Sequence, residues 1–300
     1  MPETTIDGLA TRYEVRGSGP ALLMFSPGGF NATLQNWRTH GVYRRTNILS
    51  HLSKHYTCIT FDRRESGSSG GRVERISWAD YAAQGKGLLD RLGIDHAHLM
   101  GGCVGCSVVT TFAVAYPDAV DGMVLYSPAG GAHYRIRQHA RIAEHAVYVA
   151  QHGLSGVVEL TQAITAGFSD DPRVGPWAPV IRTDHDFAES YRHFDERRYQ
   201  TILAGLGRLM FDRDTVPGPE PEDLIILDVP TLVVPGYDAS HATSAARFLH
   251  ECLANSQYWD VALAEQTEQT APPRVIDFLA AVDQLASVDG AGSGHRGPSG

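Results

Sequence analysis

Chemistry in this chain can be argued first around Cys103. It stands in "MGGCVGCS" at 100 to 107, directly after the apolar "HAHL" and directly before the helix-like "VVTTFAVAYP". Glycines at 101, 102 and 105 permit a sharp strand-to-helix turn with strained backbone, where a side chain at the bracketing positions would collide with its neighbours. Such a turn lifts its central side chain above the sheet edge, at a helix N-terminus that lowers a thiol below its ordinary pKa of about 8.5. A thiolate needs less help from a base than a serine hydroxyl does. Asp238 and His241 lie three residues apart in "PGYDASH" at 235 to 241. A thiol, an imidazole and a carboxylate in contact would make a nucleophile, a base and an orienting acid.

Each of these residues also has a plainer reading. Free cysteine packs like a small apolar side chain; His241 suits an N-cap or surface place opening the helix-like "HATSAARFLHECL"; aspartate in "GYDAS" serves turn hydrogen bonds. Cys106 falls one helical turn beyond Cys103, where packing against the sheet is expected, although the C-x-x-C spacing leaves a redox pair open. His139, His145 and His152 are six and seven apart. Helical metal ligands more often sit three or four apart, so a polar helix face is expected and no metal site. His185 and His193 are candidates to descend onto a substrate.

The elements that must position these residues follow from the apolar pattern. Strand-length runs alternate with longer helix-period segments, as in a mainly parallel sheet covered on both faces. "TRYEVRG", "ALLMFSPGG", "YTCITFD", "HAHLMGG", "VDGMVLYSPAGG", "PTLVVPG" and "QYWDV" predict strands, and "SWADYAAQGKGLLDRLG" predicts a helix that Ser77 and Asp80 begin and Gly93 ends. From 132 to 222 the alternation stops, which predicts a helical lobe inserted into an α/β core of residues 1–131 and 223–285, with "DTVPGPEPEDL" as its turn-rich exit. The Gly/Ser-rich segment 286–300 is expected to be disordered.

Composition bounds the function class. The 300 residues carry 25 basic and 34 acidic side chains, a formal net charge of -9, which disfavours nucleic acid and anionic lipid surfaces as partners. The opening "MPETTIDGLATRYEV" lacks a basic region followed by an apolar stretch, and no run reaches the roughly 18 apolar residues of a membrane span. A cytoplasmic setting and a small-molecule substrate are expected, with a homodimer left open. Four cysteines are too few and too scattered for a disulfide framework. Neither a dinucleotide-binding glycine fingerprint nor a phosphate loop with lysine occurs, so no cofactor is expected.

Taken together, the order of elements, the turn Gly101-Gly102-Cys103-Val104-Gly105 and the inserted lobe resemble the α/β-hydrolase fold over about residues 10 to 285. "SPGGF" at 26 to 30 stands in the place of that family's oxyanion loop, which implies N–H donors at Gly29 and Phe30 joining that of Val104. "DRRESGSS" at 62 to 69 resembles the family's D-x-R-G-x-G-x-S segment, with Glu65 in place of a glycine; Glu65 would reach the pocket or pair with Arg63 or Arg64. "PGYD" resembles the turn that delivers the catalytic acid. Cysteine replaces the usual serine, and the loop after the last strand, "WDVALAEQTEQTAPP", lacks the usual histidine. The resemblance implies a lobe that caps the site, with Trp37, Trp177 and Phe187 adding apolar wall.

Fold alone does not fix activity. The leading expectation is a cysteine-nucleophile hydrolase of a small ester, lactone, thioester or activated carbonyl compound. A non-hydrolytic carbon–carbon lyase or acyltransferase, and a non-catalytic ligand-binding or thiol-sensor protein, stay open beside it.

Overall fold

The structure is a computed structural model that describes residues 2–292, with side chains described through Leu285. Eight strands form one sheet: β1 (Glu3–Ile6), β2 (Leu9–Arg16), β3 (Ala21–Phe25), β4 (Thr57–Phe61), β5 (Ala97–Gly102), β6 (Val120–Tyr126), β7 (Thr231–Val234) and β8 (Ser256–Tyr258), in the order β1-β2-β4-β3-β5-β6-β7-β8. The pairs β1–β2 and β2–β4 are antiparallel, and every pairing from β4 to β8 is parallel. Every residue of β5 and β7 is buried. That follows from helices on both faces, which leave a parallel strand no solvent side for a polar residue.

Three short helices, α1 (Asn36–Thr39), α2 (Gly41–Thr46) and α3 (Ile48–Leu52), share one apolar face of the sheet with the last helix. The other face packs on α4 (Trp78–Leu92) and α5 (Gly105–Ala115). The start of α4 is the reciprocal cap that its sequence predicts: Ser77 Oγ accepts from the Asp80 N–H at 3.3 Å and Asp80 Oδ2 accepts from the Ser77 N–H at 2.6 Å. Gly93 ends it in the left-handed region, φ 69°.

Between β6 and β7 lie α6 (Ala132–Ala163), α7 (Ala178–Thr183), α8 (His185–Arg192), α9 (Glu196–Met210) and α10 (Pro221–Ile225). The long α6 breaks at Gly153, whose φ of 66° and ψ of 176° are not helical. The lobe has its own interior, where His145 bridges the Arg173 carbonyl at 3.1 Å and the Tyr199 hydroxyl at 2.6 Å. After β7 come α11 (Thr243–Cys252) and α12 (Ala271–Gly292). Among the described residues no helix is long and apolar enough to cross a membrane.

Three expectations change. Strand β1 was not anticipated from "ETTI", a four-residue edge strand whose side chains are half-buried or exposed and so show no apolar run. The exit segment "DTVPGPEPEDL" contributes Pro221–Leu224 to α10, because proline is tolerated in a helix's first turn. The backbone of α12 continues through Gly292, so residues 286–292 are helical where disorder was expected, and 293–300 lie outside the described residues.

The turn from β5 into α5 is set by close approach. Cys103 has φ 56°, in the left-handed region. A Cβ on Gly101 would lie 2.6 Å from the Cys106 nitrogen, and one on Gly105 would lie 2.1 Å from the Phe25 carbonyl oxygen on β3. Neither neighbour is a flexible side-chain end, so neither can yield. Gly105→Ala is therefore expected to lower unfolding free energy by about 3 kcal/mol or more, read from urea denaturation; an unchanged midpoint would mean that α5 does not press on β3.

Candidate active site

The turn after β7 brings two of the chemical residues together. Asp238 Oδ1 accepts from the N–H groups of Ser240 at 2.8 Å and His241 at 3.0 Å, a tight turn built around its own carboxylate. The His241 ring folds back on it, with Nδ1 2.9 Å from both Asp238 oxygens. A Cβ on Gly236 would come within 2.4 Å of the His241 Cβ, so the bend needs a bare backbone there. The Gly130 N–H donates to the Ser240 carbonyl at 3.0 Å, tying the turn to the exit of β6. The loop after β8 braces it from behind: buried Gln266 donates Nε2 to the Pro235 carbonyl at 3.1 Å. That loop supports the His241 turn where the resemblance leads one to expect it to supply a histidine of its own.

His241 Nε2 is buried with no hydrogen-bond partner, and the Cys103 thiol, which lines the same cavity, is near enough for its charge to act on the ring. Burial alone would raise the Cys103 pKa, but the His241 charge and hydrogen bond, with the N–H groups of Gly28 and Val104, outweigh it and lower the thiol. Burial likewise works against a charged His241, and the thiolate and the Asp238 carboxylate together raise it. Its hydrogen bond from His241 holds Asp238 well below the usual carboxylate range. These directions make Cys103 a more acidic thiol than an ordinary one and His241 a stronger holder of its proton. Cys106 is separate: its S–H donates to the Gly101 carbonyl at 3.2 Å and burial pushes it well above an ordinary thiol. It faces the sheet, away from a Cys103–Cys106 bond.

Cys103, His241 and Asp238 line a cavity of about 360 Å³ whose other walls include Gly28, Tyr43, Ser127 and Tyr237. Among the described residues no group of three His, Cys, Asp or Glu side chains is arranged to hold a metal ion.

Residues 21–163 match the family model described as the alpha/beta hydrolase fold. An uncharacterized protein of Mycobacterium tuberculosis is 31% identical over 206 residues, 69% of this chain and 56% of that one. The 2-hydroxy-6-oxo-6-phenylhexa-2,4-dienoate hydrolase of Comamonas testosteroni is 31% identical over 132 residues, 43% of this chain and 44% of that one. Among solved structures, a meta-cleavage product hydrolase from Pseudomonas fluorescens superposes with a TM-score of 0.58 at 22% identity, covering 94% of this chain and 98% of that one. The chain has the α/β-hydrolase fold. It spans between about a third and just over half of the length of the curated relatives it matches.

Within the α/β-hydrolase fold the expected site residues divide sharply. Cys103, Asp238 and His241 line one cavity, and Val104 stands where the elbow opens α5, next to the sulfur-bearing residue. Gly28, one residue before the expected Gly29 and Phe30, lines that cavity with Cys103. Gly28 takes φ 116°, and a Cβ on it would stand 2.7 Å from the Asn31 carbonyl oxygen, so the loop turns there. Gly29 instead offers its carbonyl to Arg63, and the Phe30 ring packs edge-on against Phe168 and Phe211 under the lobe.

The expected aromatic wall is corrected. Trp37 is 1% exposed and packs on Tyr43 in the core of the opposite sheet face. Trp177 is fully buried in the base of the lobe, its Nε1 donating to the Arg72 carbonyl at 2.7 Å. Phe187 stacks obliquely on Tyr191, and His185 and His193 are exposed, so none of the three lines the cavity. Glu65 is buried in an ion pair, Oε1 3.0 Å from Arg64 Nε, with φ 61° in the glycine position of its segment. Burial pushes its carboxyl up to about 7 against the pull of Arg64.

Sequence reading missed Ser127, which follows β6 with φ 51° and lines the cavity. A serine gives no local signal of such a backbone state. The double glycine at 28 and 29 did signal a turn, but not which N–H it presents.

The paired charges carry a pH consequence. Alkylation of Cys103 by iodoacetamide, followed by peptide mass spectrometry, is expected to reach half its maximal rate below the ordinary thiol value of about 8.5. In His241→Ala burial becomes the dominant influence, and the half-maximum moves above that value. Superimposable profiles would show that no such pair exists.

Proposed function

We propose that this chain is a hydrolase with Cys103 as its nucleophile, acting on a small ester, lactone, thioester or activated carbonyl compound. The observation that carries the reading is the meeting of the Cys103 thiol, the His241 imidazole and the Asp238 carboxylate in one accessible cavity. The kinship with a protein named as a dienoate hydrolase agrees with it. A reducing, cytoplasmic setting suits a nucleophile that oxidation would destroy. The segment 132–222 is read as the cap of the site.

In the first half-reaction the thiolate adds to the carbonyl carbon and the carbonyl π pair moves onto oxygen. The N–H groups of Gly28 and Val104, already directed at the sulfur, stabilise that oxyanion with no rearrangement of backbone. Collapse breaks the bond to the leaving group, which takes the proton from His241 Nε2, and a thioester remains on Cys103. In the second half-reaction neutral His241 removes a proton from water as its oxygen adds to the thioester carbon. Collapse then expels the Cys103 thiolate and frees the carboxylic acid, which gives up its proton to solvent. His241 keeps the proton taken from water, so the thiolate–imidazolium pair is restored. Asp238 keeps Nδ1–H donated to itself throughout, so that Nε2 is the nitrogen that exchanges protons.

With 4-nitrophenyl acetate, the Cys103 peptide is expected to gain one acetyl mass after rapid quenching, and acetate released in ¹⁸O-water should carry one labelled oxygen. His241→Ala should lower kcat/KM by about 10²–10⁴, and Cys103→Ala should abolish acylation. Full turnover by Cys103→Ala would remove the thiol from the mechanism; release of product without ¹⁸O would make the reaction a transfer or a cleavage without water.

A further inference from the structure

The loop after β8, which braces the His241 turn, also holds a cation at the cavity of the thiol. Arg45, near the end of α2, is exposed and forms part of the wall of the cavity that Cys103 and His241 line. Its Nε donates to the Gln266 carbonyl at 3.1 Å and its Nη2 to the Leu263 carbonyl at 2.6 Å, and Leu263 lines the same cavity. The Gln266 side chain meanwhile donates to the Pro235 carbonyl. One loop therefore fixes both this arginine and the turn that carries His241.

Other arginines of this chain find an acid: Arg38 pairs with Glu14, Arg64 with Glu65, Arg72 with Asp7 and Arg135 with Asp214. The acceptors of Arg45 are backbone carbonyls, and among the described residues no carboxylate lies within ion-pair distance of it. Asp238, the one acid among the residues lining the cavity, engages its oxygens with the N–H groups of Ser240 and His241 and with the His241 ring. His40 also lines the cavity, but burial lowers its imidazole, which favours the neutral form. Arg45 is thus the cation there that no acid of the chain answers.

Carbonyl oxygens orient a guanidinium without cancelling its charge. The two bonds occupy the side edge of the fork, Nε with Nη2. They leave the end edge, Nη1 with the second hydrogen of Nη2, which matches the two oxygens of a carboxylate. An arginine already held by two bonds loses less rotamer freedom when a ligand arrives than a loose one does. Pro27, Val42 and Tyr237 in the same wall are apolar or aromatic, so an entering anion finds its counter-charge at Arg45.

We propose that Arg45 is the anion-recognising residue of this cavity, so that the substrate attacked at Cys103 carries a carboxylate directed toward α2 and the loop after β8. The inference rests on the reading of Cys103 as the nucleophile, and it adds the charge of the substrate and the side on which that charge lies. A plainer role for Arg45, a tie between α2 and the last loop, needs only the two carbonyl bonds and gives the cavity no preference for anions. The test must therefore compare ligands that differ in charge but not in shape.

Occupancy can be read as protection of Cys103 from neutral iodoacetamide, which forms a thioether there with loss of iodide, by peptide mass spectrometry. Succinate, glutarate and adipate are each compared with their own diamides, and the best diacid is expected to protect at about fivefold lower concentration or less than its diamide. That comparison uses the unaltered protein and needs no variant. Arg45→Met is expected to bring diacid and diamide together, and Arg45→Lys to keep part of the preference, each scored against that protein's own unprotected rate. Labelling of Cys103 with no diacid preferred over its diamide, or with a preference that Arg45→Met leaves intact, overturns the anion site and leaves the nucleophile standing. Failure of iodoacetamide to label Cys103 overturns the nucleophile, and this inference with it.

Discussion

The site depends on one contact: the His241 imidazole held against the Asp238 carboxylate in the turn after β7, facing the cavity that Cys103 also lines. His241 is mostly buried, a place where charge is ordinarily penalised, yet Cys103 and Asp238 beside it push its pKa up to about 10. Remove either anion and the balance tilts toward neutral imidazole. The same logic runs back through the thiol, whose burial would otherwise keep it protonated. A short loop can perform this task because Asp238 first organises the loop itself, accepting the N–H groups of Ser240 and His241 before it accepts the ring. The carboxylate is at once the turn's internal anchor and the partner that fixes the His241 ring.

That economy explains the loop after β8. Gln266 supports Pro235 from below, so the last loop acts as a strut for the turn that carries the base. The scaffold around it is rigid where the chemistry needs rigidity. Tyr43 donates to the Tyr126 carbonyl at 3.0 Å, Tyr126 in turn accepts the Cys103 N–H at 3.1 Å, and the Ala129 N–H reaches the Cys103 carbonyl at 3.2 Å. The strained residue is thus gripped on both sides by backbone hydrogen bonds, the condition under which a left-handed non-glycine residue persists.

The lobe sits differently from a simple lid. Walls of the cavity beside Cys103 and His241 come from loops of the sheet domain, at Pro27–Gly28, His40–Arg45, Ser127 and Gly236–Tyr237. The lobe instead closes the neighbouring cavity through Thr165, Phe168 and Asp170. Two chambers that share Gly28 and His40 meet at the oxyanion loop, one apolar and open to the thiol, the other polar and bounded by arginine. Large aromatics of the lobe, Trp177 and Tyr199 among them, are spent on holding it together; Tyr191 and Tyr199 share a hydroxyl bond of 2.6 Å in its core.

Sequence by itself determined the features that depend on residues close together along the chain. Short, mostly apolar runs marked β3, β5 and β7, since a strand covered on both faces has no polar alternation to hide behind. Ser77, Asp80 and Gly93 marked both ends of α4, and the glycines around Cys103 marked the elbow, because each acts within one turn of backbone. Asp238 and His241 could be named for the same reason, being three residues apart. What tertiary structure alone decided is direction. Trp37 and Trp177 turned inward, Gly28 came to line the cavity with Cys103, and Glu65 closed on Arg64. Each of those outcomes is set by which distant side chain arrives opposite, and a distance of dozens of residues along the chain carries no local period from which to read it.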